Sequence, residues 1–152
     1  VKLAASLGIE IPILGGDTLD SNMVLEAAAG SDVQLYVSTF YQEGGSPEFD
    51  EGFKAWLSED STAMTNNGGN DTIAAVTAMG YDAYYVALEA LKAAGSTDKA
   101  AVKAALPDVT YTGVSGSIAF DEQGDAIRDT AYIKTADTAN NAWTLETVQT
   151  VE

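Results

Sequence analysis

Residues 11–21 read Ile-Pro-Ile-Leu-Gly-Gly-Asp-Thr-Leu-Asp-Ser, and this stretch leaves the chain few choices of fold. A short apolar run ends in two glycines, an acid follows, and a capping residue then opens a helix, so a strand, a tight turn and a helix N-terminus follow one another without a linker. In an open α/β sheet, ligands sit in the crevice beyond the carboxyl ends of the strands. Gly15 and Gly16 are expected to turn the backbone sharply at that point. Asp17 is then left at the rim, where its carboxylate is free to meet a cation such as a ligand amino group. The same acid also reads as a turn acid or helix cap, and Asp20 or Ser21 reads as the cap of the following helix.

The flanking sequence extends this grammar. Val1–Gly8 has apolar residues at helical spacing and a glycine where a C-cap stands, so it reads as the last turns of a helix whose beginning is missing. Ile11–Leu14 is expected to be a buried strand, and the next helix carries Met23, Val24, Leu25 and Ala28 to Gly30. Val33–Phe40 is rich in β-formers and reads as a second strand, giving an α/β order typical of a parallel sheet. Ser46-Pro47-Glu48 starts a helix with a cap, a first-turn proline and an acid, and places Phe49, Phe53, Trp56 and Leu57 on one face. That stripe reads either as core or as a ligand platform.

Thr65–Asp71 is a loop by composition, without the lysine of a phosphate loop, and is expected to be a surface connection. A long helix is predicted from Thr72 to Ala94, buried along Ile73, Val76, Tyr84, Leu88 and Leu91. Gly80 inside it points to a close packing partner. Thr97-Asp98 opens a further helix that Pro107 closes. Gly116–Phe120 and Thr130–Thr135 alternate as strands around the turn Asp121–Gly124, and Ala142–Val148 is the last strand. Asp121 and Asp125 lack the rest of a calcium loop, so this is read as a turn. There is no internal repeat.

Composition narrows the function. Seven basic residues against 23 acidic ones give a net charge of −16, which repels a nucleic-acid backbone over most of the surface. With no cysteine and no histidine, thiol nucleophiles, disulfides, imidazole bases and zinc sites are all excluded. Neither a metal nor a cofactor is expected. No apolar run is long enough to span a bilayer. The chain begins at Val1 within a helix, without an initiator methionine or signal peptide, and is expected to be a piece of something longer.

Three motifs in order, Gly15–Ser21, then Gly-Tyr-Asp-Ala-Tyr at 80–84 leading to Ala93–Asp98, then Gly116–Asp125, resemble the C-terminal half of the branched-chain amino-acid-binding proteins of ABC transporters. These are type I periplasmic binding proteins. The resemblance implies an α/β fold of Rossmann-like lobes with mostly parallel sheet, incomplete here. It implies a solute-binding component, not an enzyme, that closes its hinge on a small amino acid and delivers it to a membrane permease. The setting would be extracytoplasmic, in the periplasm or lipid-anchored outside the cell membrane. Asp17 matches the acid that pairs with the ligand α-ammonium, with Thr18 and Leu19 beside it, and Tyr81 matches an aromatic position lining the ligand side-chain pocket. Tyr81 also reads as a core tyrosine.

By the same resemblance, residues 1–35 and 128–152 belong to the C-terminal lobe and 42–120 to the N-terminal lobe, with crossings near 36–41 and 120–128. The family's N-terminal half, which holds the ligand carboxylate, is not in this chain, so a partner half or a swapped copy of the chain is expected to complete it. Other readings are an effector-sensing domain of the same fold in a regulator or receptor, an interaction fragment without a site of its own, and a carboxylate enzyme using Asp17 and Asp20 as a magnesium or acid/base pair.

Overall fold

The computed structural model describes residues 1–150, so the last two residues of the expected 128–152 segment lie outside the described residues. The elements run α1 (Lys2–Ser6), β1 (Ile13–Gly15), a 3-10 turn (Asp17–Leu19), α2 (Asn22–Ala28), β2 (Leu35–Thr39), α3 (Pro47–Glu59), α4 (Ser61–Asn66), α5 (Ala75–Ala94), α6 (Lys99–Ala105), a second 3-10 turn (Leu106–Asp108), β3 (Tyr111–Gly113), β4 (Gly116–Phe120), β5 (Ala126–Ile127), β6 (Thr130–Asp137) and β7 (Ala142–Thr150).

Two sheets form. The first has the order β1-β2-β6-β7 and the second β3-β4-β5. Of the expected mostly parallel sheet, this chain supplies one parallel pair, β1 with β2, because a helix separates them and carries the chain back to the starting edge. β6 runs antiparallel to both β2 and β7, and Thr138–Asn141 returns the chain between β6 and β7. On one face of this sheet Ile13, Leu35 and Ala136 pack with Ala4, Val24, Val33 and Trp143. The other face is poorly covered, so Leu14 is 80% exposed. The expectation of a buried strand over Ile11–Leu14 is corrected accordingly. The strand is half-covered, and Ile11 lies outside it and exposed.

The expected pairing of Gly116–Phe120 with Thr130–Thr135 is also corrected. The Asp121–Gly124 turn forms, with Asp121 Oδ1 accepting from Gln123 N at 2.9 Å and Asp125 N at 2.9 Å. It returns the chain to the two-residue β5, and β6 then leaves to join the first sheet.

α5 is the long helix, three residues shorter at its start than predicted, and it ends at Gly95 in the left-handed conformation. Its buried residues are Ala75, Ala78, Asp82, Val86 and Ala90, whereas Val76, Tyr84 and Leu91 are exposed. Of the predicted face, Ile73 is buried just ahead of the helix and Leu88 is half-buried, but within the helix the alanine side is the one turned inward. Small alanines let neighbouring elements approach the helix backbone closely, and the larger apolar residues are left on the open side. Gly80 lies on that side too, and a Cβ there would meet nothing within 4 Å. Its expected packing partner does not exist among the described residues.

Met23, expected to help bury α2, is 77% exposed. The loop after α4 is more than a surface connection. Asn22 at the start of α2 donates to Asn67 O at 3.1 Å and Asn70 Oδ1 at 2.6 Å, which ties the loop to α2.

Candidate functional site

The candidate ligand turn is built residue by residue. Gly16 is extended, with φ −84° and ψ −178°, and neither it nor Gly15 adopts positive φ. The expectation that the glycines serve backbone freedom is corrected here. Gly15 leaves room for Leu19, because a Cβ on it would overlap Cδ1 of Leu19 and the leucine tip would have to turn aside. Leu19 folds back over β1, and Leu19 N and Asp20 N donate to Gly16 O and Asp17 O, each at 3.0 Å, closing the turn.

Ser21 caps α2, accepting from Val24 N at 3.4 Å. Asp20, expected as the alternative cap, does something else. It is 2% exposed, and its Oδ2 accepts from Lys134 Nζ at 3.0 Å, from Thr39 Oγ1 at 2.8 Å and from Ala75 N at 3.3 Å. One carboxylate thus joins the β1–α2 connection, β2, β6 and the N-terminus of α5. With Asp20 committed to Lys134, the pairing of Asp17 and Asp20 for magnesium or acid/base chemistry is not available. Among the described residues no group of three or more acids is placed to hold a metal.

Asp17 is half-buried, and its carboxylate takes no hydrogen bond or ion pair within the described residues. It caps neither the 3-10 turn nor α2. Thr18 beside it is exposed.

Tyr81 lies elsewhere, 42% exposed on α5. It lines a cleft of about 600 Å³ with Phe49, Phe53, Trp56 and Val114. Its ring is tilted against Phe49 with 5.0 Å between centroids, and Phe49 stacks on Phe53 at 6.1 Å. The hydroxyl donates to Tyr85 Oη at 3.3 Å, and this contact, with burial adding to it, pushes the Tyr81 phenol up to about 12. The α3 stripe therefore divides. Leu57 is buried, Phe49 and Phe53 wall the cleft, and Trp56 is half open to solvent. Asp17, Thr18 and Leu19 do not line this cleft, although their turn lies beside α5. The structure thus gathers Tyr81 with aromatics and leaves the Asp17 turn as a separate rim.

A polar pin escaped the sequence reading. Asp82, fully buried on α5, accepts from Val114 N at 2.9 Å, Ser115 N at 2.8 Å and Ser115 Oγ at 2.5 Å. Arg128 donates to Ser115 O at 2.7 Å and to Ser115 Oγ at 3.2 Å, and its guanidinium stands 5.3 Å from the Phe40 ring centre. The available signal was an acid standing among the alanines of a strongly apolar helix.

Residues 1–141 match the family model described as periplasmic binding protein. The chain belongs to that family. A leucine-binding protein of Thermotoga maritima is similar to it, with 29% identity and a TM-score of 0.74 over 98% of this chain and 40% of that one. An ABC transporter substrate-binding protein from Desulfitobacterium hafniense in complex with Leu is 27% identical, with a TM-score of 0.60 over 93% of this chain and 37% of that one. A second structure of an ABC transporter substrate-binding protein from that organism is 27% identical, with a TM-score of 0.57 over 93% of this chain and 38% of that one. The chain therefore spans about two fifths of the length of these solved relatives. No curated protein sequence matches it. The type I periplasmic-binding-protein fold and the kinship with branched-chain amino-acid-binding proteins expected from the motifs are borne out. No helix of the described residues is long and apolar enough to cross a membrane.

Proposed function

We propose that this chain is part of the solute-binding component of an ABC importer, and that the whole protein binds a small amino acid, branched-chain or similar, in a cleft that closes by hinge motion. The carrying observation is the family match over residues 1–141 together with likeness to a leucine-binding protein and to a substrate-binding protein in complex with Leu. The protein is then a carrier and not an enzyme, its partner is an ABC permease, and it works outside the cytoplasmic membrane, periplasmic or lipid-anchored.

In this reading Asp17 receives the ligand α-ammonium. Its carboxylate is unclaimed by the protein, while every other polar side chain between Asp17 and Asn22 except Thr18 has a partner. Thr18 and Leu19 flank the ligand, and Tyr81 contributes an aromatic wall. Residues 1–35 and 128–152 form one lobe and 42–120 part of the other, with crossings near 36–41 and 120–128. The remaining half of the cleft comes from a missing N-terminal half or from a swapped copy.

Calorimetry of the full-length parent against leucine, isoleucine, valine and other small amino acids tests the reading, and saturable binding is expected. Asp17→Asn should weaken binding by about 2–5 kcal/mol, the loss expected for one partner of a desolvated charged contact, while leaving the melting temperature nearly unchanged. No binding of any such solute would refute the function. Unchanged affinity in the variant would refute the role of Asp17 alone.

A further inference from the structure

The chemistry of the aromatic cleft, about 600 Å³ in volume, comes from Glu48, Phe49, Gly52, Phe53 and Trp56 of α3 and Tyr81 of α5. The four rings form one row. Phe49 and Phe53 at its middle are nearly parallel, with 22° between their planes and 6.1 Å between centroids. Tyr81 is tilted by 55° against Phe49 at 5.0 Å, and Trp56 by 43° against Phe53 at 5.7 Å. The ring planes therefore turn at both ends of the row, and all four rings border the same space. Trp56 and Tyr81, at the two ends, are exposed. An aromatic face is the negative side of the ring quadrupole and attracts a cation lying within about 6 Å of the ring centre.

Two further features point the same way. Glu48, Gly52 and Trp56 stand at i, i+4 and i+8 of α3, so they follow one another along one side of the helix, beside Phe49 and Phe53. Gly52 answers no demand of the fold, since its φ is not positive and a Cβ on it would meet nothing within 4 Å. A glycine inside a helix weakens it relative to alanine, and what it leaves here is open space between the positions of Glu48 and Trp56. Glu48 enters none of the ion pairs among the described residues. Among the described residues no lysine or arginine borders the cleft, so an anion finds no counter-group there.

We propose that this cleft is a binding site for an organic cation with an alkylated ammonium head, a quaternary ammonium being the simplest case. The rings hold the cation, Gly52 admits the bulk of its head, and Glu48 supplies the countercharge. A quaternary head carries no N–H and so asks for no hydrogen-bond acceptor from a wall made of rings. A metal ion or a primary ammonium would give up hydration that these side chains do not replace. The net charge of −16 adds a long-range attraction for cations. The site shares Tyr81 with the amino-acid pocket proposed above but uses no part of the Asp17 turn, and it does not rest on that reading.

The test is calorimetry of the full-length parent, at constant ionic strength, against choline and against 3,3-dimethyl-1-butanol, which keeps the shape of choline and puts carbon in place of the charged nitrogen. Choline is expected to bind saturably and at least about tenfold more tightly than the alcohol. Gly52→Met fills the open space with a better helix former, and should abolish choline binding without lowering the melting temperature. Glu48→Gln should weaken choline by about threefold and leave the alcohol unchanged. Asp17→Asn should leave choline affinity unchanged whatever it does to leucine, which separates a failure of this proposal from a failure of the amino-acid reading. Binding of choline that does not saturate, equal affinities for choline and the alcohol, full choline affinity in Gly52→Met, or loss of choline binding in Asp17→Asn would each overturn the proposal. The comparison of the two probes needs no variant to fold.

Discussion

Replacing Lys134 by methionine removes one charge from the centre of the structure and keeps most of the side-chain length. The ammonium is 3.0 Å from Asp20 Oδ2, and the two side chains are 3% and 1% exposed. After the substitution Asp20 retains only the Thr39 hydroxyl and the Ala75 amide as partners, so a carboxylate remains in a site that water does not reach. Breaking a buried pair in this way costs about 3–5 kcal/mol, most of it the desolvation of the charge left behind. For a chain of this length 1 kcal/mol corresponds to roughly 2–4 °C, so the midpoint should fall by roughly 6–20 °C. Asp20→Asn should cost about the same, since it strands the ammonium instead.

The double variant Asp20→Asn/Lys134→Met buries no charge, and its amide oxygen can still accept from Thr39 and Ala75. It should lose far less than the sum of the singles, giving a coupling of at least ~2 kcal/mol in a double-mutant cycle. Urea unfolding of the four proteins, followed by tryptophan emission, measures it. Single variants that each cost under about 1 kcal/mol, or a double variant whose loss equals their sum, would show that Asp20 and Lys134 are not a desolvated pair, and the account of this junction would fail.

Other consequences separate in sign. Gly80→Ala should stabilise by about 0.5–1 kcal/mol, because a Cβ on this exposed helical residue meets nothing within 4 Å. Gly113→Ala should destabilise by about 2–4 kcal/mol, because its Cβ would be driven into the Asp82 carboxylate that three hydrogen bonds hold in place. Urea midpoints check both. Tyr41, pushed up chiefly by burial and then by its bond to Asp50, and Tyr81, pushed up to about 12 chiefly by Tyr85, are neutral in the fold at pH values where the unfolded phenols ionise. Stability is then complete below about pH 10 and falls as pH rises towards 12, and Tyr41→Phe should flatten that fall in melts recorded across this range. The chain alone should self-associate in light scattering, since Leu14, Trp56, Tyr84 and the long edge strand β7 are open to solvent. A compact monomer that binds leucine tightly would contradict both this and the lobe assignment.

What could be read in advance was local. The strand–turn–helix at 13–28, the Asp98 cap and the Asp121 turn each depend on residues within a few positions, and each formed. What could not be read was the choice among equivalent faces and partners. Over Ala75–Ala94 nearly every position is apolar or small, so helical periodicity does not select a face, and the alanine side won through close packing. Strand patterning marked Gly116–Phe120 and Thr130–Thr135 but carried no information about which strand each would join. Lys134 stands in a β pattern where a surface lysine is the ordinary expectation. Only the arrival of Asp20, 114 positions away in sequence, makes its burial tolerable.

The motif Gly15–Ser21 shows how tertiary contacts divide labour that sequence leaves undivided. Leu19 lies over Gly15, Asp20 pairs with Lys134 in the interior, and Ser21 turns to cap α2. Each of these residues has a partner within the fold. Asp17 and Thr18 alone carry side-chain polar groups with no internal task, so the turn is rigid at the positions that face the fold and unclaimed at the two that face the rim. The backbone that carries Asp17 is closed by the bonds from Leu19 N to Gly16 O and from Asp20 N to Asp17 O, so the position of its Cα is set before a cation arrives, which lowers part of the cost of binding one there. The same logic makes Asp20 a sensitive control. Loosening it should let the turn move and weaken any contact made through Asp17, although the Asp20 carboxylate itself is turned into the fold. In the full-length parent the Asp20→Asn/Lys134→Met pair should therefore bind an amino acid more weakly than its small loss of stability accounts for. Equal affinity in that variant would show that the turn is held by its backbone bonds and by Leu19 alone.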